Sequence, residues 1–142
     1  MTETNKRIRP RTVDTYLLIK YMTEKQQTGA SGEAATVEWL RRHGFMIEAL
    51  NWRSGRDEID IVATRFDRIH FVEVKTRHSG SMTSPEEAIN ERKLKALRRC
   101  AAAYMAQHRV RLEPQFDLAA VESLPDGSCA VRYVENAMQY GW

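Results

Sequence analysis

Two acids and a lysine near the middle of the chain carry the strongest chemical signal. Asp60 lies in Glu58-Ile59-Asp60-Ile61, and Glu73 with Lys75 lies in Phe71-Val72-Glu73-Val74-Lys75. Both segments alternate as strands do, and the polar stretch Arg65 to Arg68 between them suits a hairpin loop. If Thr64 faces Ile69, counting outward in step sets Asp60 opposite Glu73 and Glu58 opposite Lys75 on one face. The other face then pairs Ile59 with Val74 and Ile61 with Val72, an apolar layer. Opposed carboxylates repel and call for a cation. Lys75, two residues past Glu73 and so on the same side of its strand, is one candidate. A hard divalent ion is another, because Mg²⁺ is commonly held by one or two carboxylates with waters and substrate phosphate completing its octahedron.

An isolated Glu-x-Lys is more often a solvated strand face than a site, so the reading rests on convergence. Glu33, Val37 and Leu40 follow i, i+4, i+7, which puts a carboxylate on the apolar stripe of a helix; the plainer reading is a first-turn acid favoured by the helix dipole. Lys93 stands four residues after Ile89 and four before Leu97, inside the stripe of a later helix. Its plainer reading is a long side chain that packs its stem and brings its amine to water.

The elements that must position these groups follow from periodicity and punctuation. Residues 1–28 read as a basic arm with Lys6, Arg7, Arg9 and Arg11, and with a short helix over Thr12 to Lys25. Gly29 to Gly32 is expected to loosen the chain before a domain over 29–137. Glu33 to His43 reads as a helix with Gly44 just past its end. Strands are expected over Phe45 to Trp52, Ile59 to Ala63 and Ile69 to Lys75. Ser84-Pro85-Glu86-Glu87 reads as a capping box opening a helix to about Gln107, with a stripe of Ile89, Ala96, Leu97, Cys100 and Tyr104. Phe116 to Glu122 and Cys129 to Val134, split by Pro125-Asp126-Gly127, complete the order α-β-β-β-α-β-β. Residues 138–142 read as a tail. That order predicts an α/β fold, a sheet flanked by helices.

Composition is permissive. A chain of 142 residues carries a net charge of only +3, which suits a polyanionic partner without requiring one. Cys100 and Cys129 are far apart and form no metal-type cluster, as expected of free thiols in a reducing compartment. No apolar run approaches the ~20 residues of a membrane span, and Asp14 and Lys20 interrupt the one stretch that mimics a signal peptide. The expected location is the cytoplasm, with no membrane partner. His43, His70, His78 and His108 share no ligand spacing and receive no role.

Asn51-Trp52-Arg53, Glu58-Ile59-Asp60-Ile61 and Phe71-Val72-Glu73-Val74-Lys75-Thr76-Arg77, together with Gly29 to Glu33, Lys93 and Phe116-Asp117, resemble the YraN-type family. These are small bacterial proteins expected to be endonucleases related to archaeal Holliday junction resolvases. The resemblance covers about Gly29 to Ala137. It implies a restriction-endonuclease-like core with a mixed central sheet, in which Asp60, Glu73 and Lys75 match the PD-(D/E)xK acids and lysine and Glu33 matches the helix acid of resolvase-like members. Two positions depart from the family pattern: Asp57 stands where a Gly is usual, and Gln115 where an Arg is usual.

On this reading Asp60, Glu73, the Val74 carbonyl and Glu33 are the expected ligands of Mg²⁺ or Mn²⁺, and Lys75 orients water or stabilises charge. Glu58 is an expected outer partner, while Arg53, Arg77 and Lys93 are expected phosphate contacts. The expected partner is nucleic acid, with DNA favoured over RNA, and resolvase analogy implies a homodimer. Two other readings stay open: a nuclease-like module that binds nucleic acid without cutting it, and a protein-interaction adaptor with Tyr140-Gly141-Trp142 as its docking tail.

Overall fold

Alternating apolar residues build three consecutive antiparallel strands: β1 (Met46–Ser54), β2 (Asp57–Arg65) and β3 (Arg68–His78). The computed structural model describes residues 24–81 and 90–137. β4 (Glu113–Ser123) lies parallel to β3, and β5 (Cys129–Val134) returns antiparallel, giving a mixed five-stranded sheet in the order β1-β2-β3-β4-β5. Helix α1 (Glu24–Arg42) precedes the strands, and α2 (Glu91–His108) connects β3 to β4, as a parallel pair requires of its crossover.

The helices cover opposite faces. Val37 and Leu40 of α1 pack with Phe45, Ile47, Ile61, Val72, Ala119 and Val121. On the other face Leu94, Leu97, Cys100, Ala101 and Tyr104 of α2 pack with Ile59, Val62, Ile69 and Phe71. The result is a three-layer α/β/α sandwich around a mixed sheet, the architecture expected of a nuclease-like core.

Several boundaries differ from expectation. α1 begins before Glu33 and runs through Gly29 to Gly32, because Gly32 is where the helix meets the sheet: a Cβ there would lie 2.1 Å from Thr76 Oγ1. Only glycine allows that approach, and the Thr36 hydroxyl donates to the Gly32 carbonyl at 2.8 Å to hold the turn. The capping box at Ser84 and the short helix over Thr12 to Lys25 fall outside the described residues, apart from the end of the latter. α2 itself starts at Asn90, which is extended (φ −142°, ψ 173°) and accepts a hydrogen bond from the Lys93 N–H at 2.9 Å. Asn90 therefore ends any continuous helix from Ser84. The β2–β3 loop is Phe66-Asp67 alone, since Arg65 and Arg68 pair across it; Thr64 still faces Ile69, so the expected register survives a shorter turn.

A buried polar clamp ties the far strands together. Asp117 is fully buried. Its Oδ2 lies 2.6 Å from His70 Nδ1 and accepts from the Tyr133 hydroxyl, while Oδ1 accepts from Gln115 Nε2 at 3.0 Å and the Asn136 N–H at 2.9 Å. His70, assigned no role from its spacing, is thus a partner of the Asp in Phe116-Asp117. Glu135 stands near enough to His70 and Asp117 for the three to share an ion. Both Asp117 oxygens are already saturated by donors, so the group works as a structural joint.

Candidate active site

The β2–β3 ladder ends at Ile61–Val72. In the continued register Ile59 would face Val74, but Val74 instead gives its backbone N–H to the Asp60 carboxylate, Oδ2, at 2.8 Å. The strands fork there. The expected pairs Asp60–Glu73, Ile59–Val74 and Glu58–Lys75 do not form, and Ile59 packs under α2 while Ile61 and Val74 pack under α1.

The cause is a change of face in both strands at one point. Leu50 and Ile61 pair and lie under α1, whereas Trp52 and Ile59 pair and lie under α2; two residues on along a regular strand the face should be unchanged. Between these pairs stand Asn51 and Asp60. Asn51 has a left-handed backbone, φ 50°, which Asn tolerates better than most residues. This local reversal is invisible to a period-2 count.

Three carboxylates, Glu33, Asp60 and Glu73, converge on the fork, with the charge of Glu58 close enough to be felt. Glu33 arrives from α1 and accepts a hydrogen bond from Asn51 Nδ2 at 2.7 Å. Burial raises its pKa from 4.5 to about 7, against the lowering effect of Asn51 and with help from the charges of Glu58 and Glu73. Burial also raises Asp60 well above the ordinary carboxylate range, reinforced by Glu73, Glu33 and Glu58 and opposed by the Val74 N–H. Burial therefore favours the protonated form of both acids, and the neighbouring carboxylates add to that effect.

The cations of the site come from the α2 side. Lys75 Nζ lies 3.4 Å from Glu73 Oε1, with both side chains about four-fifths buried. Burial works against the Lys75 ammonium, but its contact with Lys93 and the Glu73 and Asp60 carboxylates outweigh that, and its pKa stands above the usual lysine value. Lys93 is pushed down, first by its hydrogen bond to Lys75 and then by burial. Lys93 does reach the site, though not from within the apolar stripe: it is exposed beside a stripe of Leu94, Leu97, Cys100, Ala101 and Tyr104.

The remaining expected residues are less central. Arg53 Nε binds Glu58 Oε2 at 2.6 Å on the surface, so each already has a partner. Arg77 turns back and donates to the Thr76 carbonyl at 3.0 Å. Val74 enters through its N–H. Three contributors escaped the sequence reading. Asn51 fixes Glu33, Gly32 lets α1 approach β3, and Arg99 grips Asp57 with two bonds of 2.7 and 2.9 Å, anchoring α2 to the start of β2. The Asn51 signal was present as a polar residue between Leu50 and Trp52; the other two need the tertiary structure. Both departures from the family pattern have structural uses, Asp57 as the Arg99 partner and Gln115 as a donor to Asp117.

Fold and site together define a small mixed α/β domain whose central sheet splits around buried carboxylates and a lysine pair. The family described as Uncharacterised protein family UPF0102 matches residues 32–121. The chain belongs to this family. A UPF0102 protein of Porphyromonas gingivalis is 40% identical over 117 residues, covering 82% of this chain and 87% of that protein. One of Bacteroides thetaiotaomicron is 40% identical over 116 residues, covering 82% and 95%, and one of Alkaliphilus oremlandii is 36% identical over 115 residues, covering 79% and 97%.

Proposed function

We propose that the chain is a metal-dependent endonuclease of PD-(D/E)xK type that hydrolyses phosphodiester bonds, in structured or branched DNA ahead of RNA. The observation that carries this reading is the convergence at the β2–β3 fork of Asp60, Glu33 and Glu73, where burial, reinforced by the neighbouring carboxylates, raises Asp60 and Glu33, beside the ammonium of Lys75. Such a donor set fits a hard divalent ion, Mg²⁺ or Mn²⁺, which binds carboxylate oxygens.

Asp60 and Glu73 would hold the ion, with the Val74 carbonyl and Glu33 as further ligands. When bound, it supplies Lewis acidity toward a phosphate oxygen and eases deprotonation of the attacking water. The Val74 N–H fixes the Asp60 carboxylate. Lys75 stays protonated, so its role is to orient water or meet developing negative charge. Lys93, more readily neutral, is placed to pass a proton or to contact phosphate. Arg53 and Arg77 are secondary phosphate contacts. A reducing cytoplasm suits the free thiols Cys100 and Cys129, and a homodimer would allow paired cuts on two strands. No helix among the described residues is long and apolar enough to cross a membrane.

The test is cleavage of labelled DNA and RNA structures, four-way junctions included, with Mg²⁺ or Mn²⁺, comparing wild type with Glu73→Ala and Lys75→Ala. Metal-dependent cutting lost in both variants establishes the activity. Cutting absent from wild type, or retained by both variants, overturns it and leaves a nuclease-like binding module.

A further inference from the structure

The turn end of β3 collects a different chemistry from the carboxylate fork. Phe66, in the turn between β2 and β3, is 92% exposed and has a left-handed backbone, φ 55°. Glycine or Asn fills such a position with less strain. Arg109, which closes α2, is also exposed and left-handed, φ 51°, ψ 46°, at a helix end where glycine is the common choice. Both positions lie at one end of the sheet. Arg68 pairs with Glu113, the Glu113 N–H approaches the Asp67 carbonyl at 3.4 Å, and residues 109–112 lead directly into that strand.

Phe66 stands on a built base. The Arg65 guanidinium lies 5.4 Å from its ring and 4.0 Å from the ring of buried Phe45, and it donates to the His43 carbonyl and to Glu135 at 3.1 Å each. The same end of the sheet carries Arg42, Arg109 and Arg111, all exposed, and Arg68, which pairs with Glu113 at 3.8 Å, together with the exposed Asp67. An exposed aromatic ring on a strained turn, at a sheet end rich in arginines, is the chemistry that stacks an unpaired base while neutralising its flanking phosphates.

We infer that this end of the sheet is a second nucleic-acid contact, in which Phe66 stacks on an unpaired base while Arg68, Arg109 and Arg111 hold the adjacent backbone. The inference rests on the nuclease reading for its partner and narrows the substrate. Five to seven strand residues separate Arg68 from Glu73 and Lys75, roughly 17–23 Å, which is about five to seven nucleotides at the 3.4 Å rise per strand. The substrate therefore carries a single-stranded segment about that far from the bond that is cut. A blunt duplex hides its internal base faces from Phe66.

The test uses the full-length protein without divalent metal, so that nothing is cut, and measures anisotropy of labelled 20-nucleotide single strands of DNA and RNA and of a blunt 20-base-pair duplex. Phe66→Ala is expected to weaken single-strand binding about tenfold and leave the duplex unchanged, while Phe66→Trp restores the affinity. Arg109→Ala with Arg111→Ala should lower the salt slope for single strands by about 1.4. The relative losses on DNA and RNA name the preferred strand. Equal binding by wild type and Phe66→Ala, equal losses on strand and duplex, or conversion of a dimer to a monomer by Phe66→Ala would overturn the inference. Loss of the nuclease reading shows differently, as unchanged binding without cleavage, whereas a wild type that binds no nucleic acid removes both.

Discussion

Asp60 Oδ2 accepts the backbone N–H of Val74 at 2.8 Å, so the carboxylate occupies the place where a β2 backbone partner would otherwise continue the ladder. The bond orients the acid and shapes the fork at once. It also separates two properties of Asp60, its shape and its charge, which substitutions can address independently.

Asp60→Asn keeps an acceptor for the Val74 N–H and removes the charge that Glu73, Glu33 and Glu58 oppose. The metal-free variant should be more stable than wild type at pH 8 by about 1 kcal/mol, a rise of ~3 °C in Tm. It should cut nothing. A thermal melt at fixed ionic strength checks the first point, and an equal or lower Tm would contradict the repulsion described at the site.

Mg²⁺ or Mn²⁺ should raise the Tm of wild type and not of Asp60→Asn. At one hundred times the dissociation constant the gain is about 2.7 kcal/mol. Calorimetric melts across a metal titration decide this, with Ca²⁺ as a second hard cation.

Glu33 gives the stability a pH dependence of definite sign. Its folded pKa, about 7, lies above its ordinary value of 4.5, so in that interval the native state binds more protons than the unfolded one. Its contribution is complete below about pH 4.5 and is lost as the pH rises through about 7. Chemical denaturation of metal-free protein should therefore show a fall over this window that Glu33→Gln flattens. Bound metal should flatten it too.

Gly32→Ala should destabilise the fold by ~2 kcal/mol and impair cutting, because a Cβ 2.1 Å from Thr76 Oγ1 forces α1 off the sheet and takes Glu33 with it. Adding Thr76→Ala removes the clashing hydroxyl. The double variant should recover more stability than the two single effects sum to, and a double-mutant cycle measures that coupling.

Arg109→Gly relieves a left-handed residue, φ 51°, and should stabilise the chain by about 1 kcal/mol. Denaturant unfolding provides the measurement. A loss of stability would mean that the Arg109 side chain contributes more to the fold than its backbone costs.

How much of this was legible in the sequence depended on whether a local rule governed it. The strands from Ile59 and Ile69 were readable because apolar alternation persists wherever the sheet is covered, and Thr64 opposite Ile69 held even with a shorter turn. The same alternation failed at Ile59, whose face is set by the reversal at Asn51 and Asp60. Glu33 was recognisable as an acid on an apolar stripe, yet the extension of its helix through Gly32 depends on Thr76, a residue far along the chain. Lys93 was picked out by spacing, but its route to the site came from the cap at Asn90 that fixes the first turn of α2. Residue types announced the chemistry, while close approach and strand divergence, which are tertiary matters, decided its placement.

The order of the strands bears on how the site comes into being. β1, β2 and β3 are consecutive in chain and in space, so Asp60, Glu73 and Lys75 can assemble from short-range contacts. The next neighbour, β4, pairs Glu113 with Arg68 only after the chain has passed through α2. Contacts across such a separation close slowly, since a long loop must be ordered before they form. Asp60, Glu73 and Lys75 thus depend on contacts close in sequence, whereas Lys93 and the β3–β4 pair depend on contacts made across a long separation.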